Sequence, residues 1–308
     1  MRRRDLIALL AGPLPLAAEA LEGAILVHEH VMVDFIGAAQ IRPGRYHREE
    51  VFRVARKHLE DVKRLGCRRL QECTPNFLGR DAALMRRLSA ETGIDIWTNT
   101  GLYAAADYKY LPEFAKSESA ERLARRWIQE HRDGVDGVRP RFIKIGVNRG
   151  PLAAPDRKVA TAAAITSRET GLTIASHTGN GSAAVEQVEI VAAEKVAPAR
   201  FVWVHAQSEK DHTFHERVAR SGAWVEFDGI GPKSAAWHLE CVRFMAGRNL
   251  LGRTLISQDS GWYRVGEPGG GSYRGYTYLF TDFLPLLDSG WRRQLLIENP
   301  ARAFGEPL

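Results

Sequence analysis

Cysteine is scarce in this 308-residue chain, with three copies at Cys67, Cys73 and Cys241. An odd count with no C-x-x-C pair outlines neither a disulfide framework nor a zinc ribbon, so free buried thiols are the expected state. A bridge such as Cys67 to Cys73 enters only if the protein is exported. Past the N-terminal segment, no apolar run approaches the ~20 residues that span a bilayer. Glycine-rich phosphate loops are missing as well. No G-x-G-x-x-G follows the first apolar run, and the one glycine-rich patch, "GEPGGGSYRG" at 266 to 275, lacks the Gly-Lys-Ser/Thr ending of a P-loop. Nor is there a concentrated basic surface. The formal charge is +6, but Lys and Arg are interleaved with acids, as in "EEVFRVARKHLEDVKRLG", and read as solvated helix faces rather than a nucleic-acid site.

The first twenty residues, "MRRRDLIALLAGPLPLAAEA", differ from all that follows: three arginines, an apolar stretch, then Ala18-Glu19-Ala20. That is the layout of a secretory signal with an A-x-A cleavage site. Arg3-Arg4-Asp5-Leu6-Ile7 also resembles the twin-arginine signal, which exports proteins already folded with their cofactor. The expectation is a periplasmic or secreted protein whose single domain covers 21–308; the alternative is a basic N-terminal helix on a cytoplasmic protein.

Eight short apolar or β-branched runs recur along the chain: "AILVHEH", "RRLQECT", "DIWTNTGLY", "RFIKIGV", "LTIASHT", "FVWVHAQ", "AWVEFDGI" and "TLISQDS". Continuous hydrophobicity is what strands buried on both faces of a parallel sheet show. Between them lie helical patterns at 48–65, 80–92, 119–133 and 157–170, each followed by the glycine that stops a helix, with further helices at 182–195, 209–221, 234–248 and 291–304. Eight strand–helix alternations predict a (β/α)8 TIM barrel of the α/β class, in one domain. A doubly wound open sheet is the runner-up, weakened by the missing glycine turn.

Most of these strands end on their C-terminal side in a residue able to bind metal or move protons: His28 and His30 on the first, Lys144 on the fourth, His177 on the fifth, His205 on the sixth and Asp259 on the eighth. In a barrel those ends gather at one mouth, where active sites of this fold sit. Residues two apart on a strand face the same way, so His28 and His30 both face the axis. Imidazole and carboxylate ligands suit zinc or a similar divalent ion. The remaining histidines, His47, His58, His131, His212, His215 and His238, fall in helices or loops and read as structural. Lys144 is the odd member, since an ammonium would repel cations. Burial in an apolar strand favours the neutral amine, which can react with carbon dioxide to give an anionic, two-oxygen carbamate.

This ordered set resembles the amidohydrolase superfamily, and within it the phosphotriesterase-like branch of phosphotriesterases and lactonases. The similarity runs from about residue 23 to "ENPARAF" at 298–304 and includes "LVHEH", "FIKIGV", "TGLTIASHTGNG", "GAWVEFDGIG" and "ISQDSGW" in the same order. The resemblance implies a hydrolase with two divalent ions, zinc first, with Mn, Co or Fe as alternatives. His28, His30 and Asp259 would hold the more buried ion and His177 and His205 the more exposed one, with carbamylated Lys144 and a hydroxide between them. Asp259 would carry the proton from that hydroxide to the leaving group.

Tyr103 matches a tyrosine typical of the lactonase members, which tilts the expected substrate to a lactone or related ester. Two departures count against a phosphotriesterase proper. "HAQSEKD" offers Gln207 and Ser208 where a proton relay is acidic, and Gly229 follows Asp228 where a basic side chain is common. Tyr103, Asp228 and Trp262 are expected in the substrate pocket, with 263–275 as a loop closing over it and Arg274 and Tyr276 as candidates for an anionic group. The expected partner is a small molecule, with no nucleic acid or membrane span; a homodimer is an open expectation. The competing reading is a barrel that binds a metal or ligand without catalysis.

Overall fold

The computed structural model describes residues 20–305; the expected leader lies outside them except for Ala20. Ten short strands run in chain order: β1 (Ala24–Val33), β2 (Cys67–Glu72), β3 (Asp95–Trp97), β4 (Asn99–Thr100), β5 (Phe142–Val147), β6 (Ile174–Thr178), β7 (Phe201–Val204), β8 (Trp224–Phe227), β9 (Thr254–Ile256) and β10 (Gly261–Arg264). They pair in parallel as β10-β1-β2-β3 and β4-β5-β6-β7-β8-β9. β3 and β4 are two halves of one stave interrupted at Thr98, so eight staves make the TIM barrel of this single domain. The seam between last and first stave is carried by Asp259 N donating to His28 O at 3.1 Å and His30 N donating to Ser260 O at 2.8 Å. Glu29 clamps it: the fully buried carboxyl accepts from Ser257 Oγ, Gln258 N and Ser260 N. Burial pushes that carboxyl up to about 8 against the pull of those donors.

Helices α1 (Arg48–Lys63), α2 (Ala82–Thr92), α3 (Glu113–Ser117), α4 (Ala120–Asp133), α5 (Ala154–Thr170), α6 (Gly181–Ala193), α7 (His212–Arg220) and α8 (Ala235–Gly247) pack around the staves. Gly93 and Gly171 close α2 and α5 in the left-handed region, where a side chain would be strained. α3 and β10 were not foreseen. The helix expected over 291–304 is three consecutive helical segments from Ser289 to Ala303, the middle one, Gln294–Glu298, a π-helix. Cys67, Cys73 and Cys241 are buried and unpaired. Among the described residues no helix is long and apolar enough to cross a membrane.

The barrel interior holds Ile25, Val27, Phe142, Ala175, Val202, Val204, Trp224 and Leu255 in one apolar cluster. Strand alternation then fixes what the mouth receives. Beyond Phe142 the same face carries Lys144; beyond Ala175 it carries His177; beyond Trp224, Glu226 and Asp228; beyond Leu255, Ser257 and Asp259.

Candidate metal centre

Two histidines reach the mouth by breaking that alternation. Val27 and His28 are neighbours yet both belong to the interior, and the β1–β2 register shifts between Leu26 and Glu29, a bulge that re-aims the strand. His205, next to inward Val204, adopts φ 64°. Asp259 and Trp262 are also left-handed, at φ 49° and 75°, and Trp262 Nε1 donates to Asp259 O at 2.7 Å. Such conformations cost of order 1–3 kcal/mol each and collect at functional sites.

His28, His30, Lys144, His177, His205 and Asp259 all line one cavity of about 180 Å³. The rings of His28 and His205 are 4.9 Å apart between centroids, and those of His177 and His205 4.4 Å. Asp259 Oδ1 lies 3.2 Å from His30 Nε2 and 3.9 Å from His28 Nε2. Three rings are held from behind through Nδ1: His28 by Glu226 Oε1 at 2.9 Å, His30 by Thr74 Oγ1 at 2.7 Å, and His205 by Asp228 Oδ1. Thr74 in turn donates to the buried Glu72. With Nδ1 engaged, Nε2 is left as the lone-pair donor on the cavity side, the tautomer a metal ligand needs.

Burial, reinforced by Lys144, holds His28 well below its ordinary value; burial, His205 and Lys144 do the same to His177. Both rings are therefore neutral. Burial alone would raise Asp259, but the contact with His30 and the neighbouring histidines outweigh it and keep it a carboxylate. Asp228 is likewise ionised, since His205 and His28 overcome its burial.

These residues fit a divalent metal. The ligand atoms of His28, His30 and Asp259 all lie within 4.8 Å of one another. A second grouping, His28 with His205 and Asp228, is as compact, but Asp228 already accepts from His205 N, His205 Nδ1 and Gln207 Nε2. We read Asp228 as the support of a ligand rather than a ligand. The most telling atom is Lys144 Nζ, which is buried in the cavity lining with no hydrogen-bond partner.

Of the expected substrate contacts, Tyr103 and Trp262 line the cavity, their rings 5.0 Å from His177 and 4.7 Å from His30. Asp228 and Arg274 do not reach it. Asp228 is spent behind His205, and Arg274 donates to Gln258 O and Ser260 Oγ, bracing the Asp259 turn. Tyr276 is fully buried and donates to His30 O at 2.8 Å. Residues 263–275 contribute nothing to the cavity wall. They pack behind β1, with Tyr273 stacked on His58 of α1 and Gly261 and Arg274 exchanging backbone hydrogen bonds. The wall is completed instead by Phe35, Leu78 and Tyr110, from loops whose approach no local pattern announces.

The description of the phosphotriesterase family matches residues 12–304. The chain belongs to the phosphotriesterase family. It is 29% identical over 293 residues to the phosphotriesterase homology protein of Escherichia coli K12, covering 92% of this chain and 98% of that one. It is 27% identical over 212 residues to an aryldialkylphosphatase of Saccharolobus solfataricus, covering 68% and 67%. A mutant of the phosphotriesterase-like lactonase of Deinococcus radiodurans superposes with a TM-score of 0.81 at 26% identity, covering 94% and 98%. Within this phosphotriesterase-family barrel, Gln207 has a definite place: its Nε2 donates to Asp228 Oδ1 at 2.9 Å and its Oε1 accepts from Asp228 N at 3.2 Å. Gly229 follows at φ 73°, and a Cβ there would come within 3.3 Å of Gln207 Nε2. The two departures seen in the sequence thus form one packed unit around Asp228.

Proposed function

We propose that this chain is a binuclear metal-dependent hydrolase that opens a lactone or cleaves a related ester. The observation that carries the reading is Lys144: an amine buried without a partner among His28, His177, His205 and Asp259. An unpaired buried amine costs several kcal/mol, and conversion to a carbamate turns it into an anion suited to cations. In that step the neutral nitrogen attacks the carbon of carbon dioxide, an N–C bond forms as the π pair of one C=O bond moves onto its oxygen, and the nitrogen loses a proton to solvent.

His28, His30 and Asp259 would hold one ion, His177 and His205 the other, with the Lys144 carbamate shared. Divalent ions held there would supply a water of near-neutral pKa and draw charge from the substrate oxygen. Asp259, ionised and 3.2 Å from His30 Nε2, takes the proton released by the attacking water and returns it to the leaving oxygen. Phe35, Tyr103, Tyr110 and Trp262 exclude water and receive the apolar part of the substrate.

Tyr103 and the Gln207–Asp228–Gly229 unit favour the lactone over the triester. A screen across lactones, carboxyl esters and phosphotriesters, with metal analysis, tests the proposal. We expect near two ions per chain and hydrolysis, with the activity and at least the ion held by His28 lost in His28→Ala, and faster reconstitution of the apoprotein in bicarbonate. A folded chain that takes up no metal and hydrolyses nothing sinks it.

A further inference from the structure

We infer that Glu226 is a positioning residue that selects the metal-binding tautomer of His28 and sets the affinity of one of the two ions; this rests on the metal-dependent reading above. Glu226 and Asp228 lie two apart on the inner face of β8 and its extension, and both are fully buried. Asp228 is fully employed, accepting from His205 N, His205 Nδ1 and Gln207 Nε2. Glu226 Oε1 lies 2.9 Å from His28 Nδ1, nearer than Asp228 Oδ2 at 3.5 Å, while Glu226 Oε2 is buried and unpartnered.

That arrangement is expensive if Glu226 serves only the fold. A buried carboxyl with half its acceptor capacity idle costs free energy that a leucine of similar volume would not. What the carboxyl does provide is an acceptor for His28 Nδ1–H. That contact directs the Nε2 lone pair to the side where Asp259 Oδ1 waits at 3.9 Å, and a cation on Nε2 would polarise the Nδ1–H toward Glu226 in return. His28 is the ring that touches both neighbouring ligand rings, with centroids 5.4 Å from His30 and 4.9 Å from His205. A wrong tautomer there would disarm the ligand group of His28, His30 and Asp259 and leave the His177 side intact.

The test is a zinc titration of the apoprotein against a chromophoric chelator, for wild type, Glu226→Gln and Glu226→Leu, beside the thermal midpoint of each apoprotein. Loss of such an outer partner typically weakens metal binding 10–100-fold. For Glu226→Leu we expect that loss for one of the two ions, with an apoprotein midpoint equal to or above wild type. Glu226→Gln, whose amide oxygen still accepts from Nδ1, should retain most of the affinity and serves as the second variant should the leucine protein not fold. A Glu226→Leu chain that melts lower yet binds both ions like wild type overturns the inference, as does a Glu226→Gln chain that loses both ions equally. A wild type that binds no zinc overturns the metal reading itself.

Discussion

Gly146 lies on β5 two residues past Lys144, and a methyl added there would meet the cavity wall. A Cβ at this position comes 2.6 Å from Tyr103 Cδ2 and Cε2 and 3.1 Å from Cγ, so the ring must retreat by about 0.8 Å to reach ordinary contact. It cannot do so freely. Ala104 N is bonded to Gly146 O at 2.8 Å, and the ring is packed on His177 and Tyr110 at centroid distances of 5.0 and 5.8 Å. Overpacking of this kind costs about 1–3 kcal/mol. The backbone of Gly146 is not left-handed, so alanine also restricts the unfolded chain and returns about 0.4–1 kcal/mol. Gly146→Ala should therefore destabilise by about 1–2 kcal/mol. In a Tyr103→Ala background the clash is gone and the same change should stabilise, giving a coupling of about 1.5–3 kcal/mol. Urea unfolding of the four metal-free proteins measures it. A Gly146→Ala that is neutral with Tyr103 present, or additive with Tyr103→Ala, would refute the packing argument.

Two further outcomes are expected. Glu29→Ala should destabilise by roughly 3–9 kcal/mol, because it orphans Gln258 N–H, Ser260 N–H and the Ser257 hydroxyl at the barrel seam, each at about 1–3 kcal/mol; a loss under about 1 kcal/mol by urea unfolding would show that the seam holds without the clamp. His215 is kept down at about 4 by burial, with its Nε2 2.7 Å from Ala206 O. The unfolded chain takes up a proton near pH 6.5 that the folded one refuses, so this stability is complete above pH 6.5 and drains away as pH falls toward 4, at most roughly 3 kcal/mol. His215→Gln should flatten the fall of the urea midpoint between pH 7 and 4.5, and an unchanged slope would place the acid sensitivity elsewhere.

The barrel was legible because eight buried parallel strands each leave an apolar run, and glycines stop α2 and α5 where the spacing places them. Lys144, His177 and Asp259 were legible for a related reason, since each continues the inner-face alternation of its own strand from Phe142, Ala175 and Leu255. The direction of His28 was not. Its spacing from His30 puts both on one face, but Ile25 and Val27 claim the interior by parity, and only the shift after Leu26 reconciles them. A bulge depends on pairing with β2, which is some forty residues away. The left-handed turn at His205 depends on Asp228 in the same way. Glu226 was in view in "AWVEFDGI", an acid two before Asp228 on an inward face, and alternation alone could have marked it.

The same alternation explains how one small fold carries so many buried charges. The lower interior is a continuous apolar layer, Ile25 and Val27 with Phe142, Val202, Trp224 and Leu255, and each such side chain contributes about 1.5–3 kcal/mol when fully buried. Directly above it, on the same strand faces, stand Lys144, His177, Glu226, Asp228 and Asp259, joined by His28, His30 and His205 where a bulge or a left-handed turn re-aims the strand. Each of these strands thus pairs a stabilising residue below with a costly one above, and the costs are confined to the end where loops vary. A charge moved one residue along any of these strands would leave the mouth for the helix-facing side and meet no partner. Register is therefore the quantity the fold must hold most tightly, which is why the Glu29 clamp sits on the seam between His28 and Asp259.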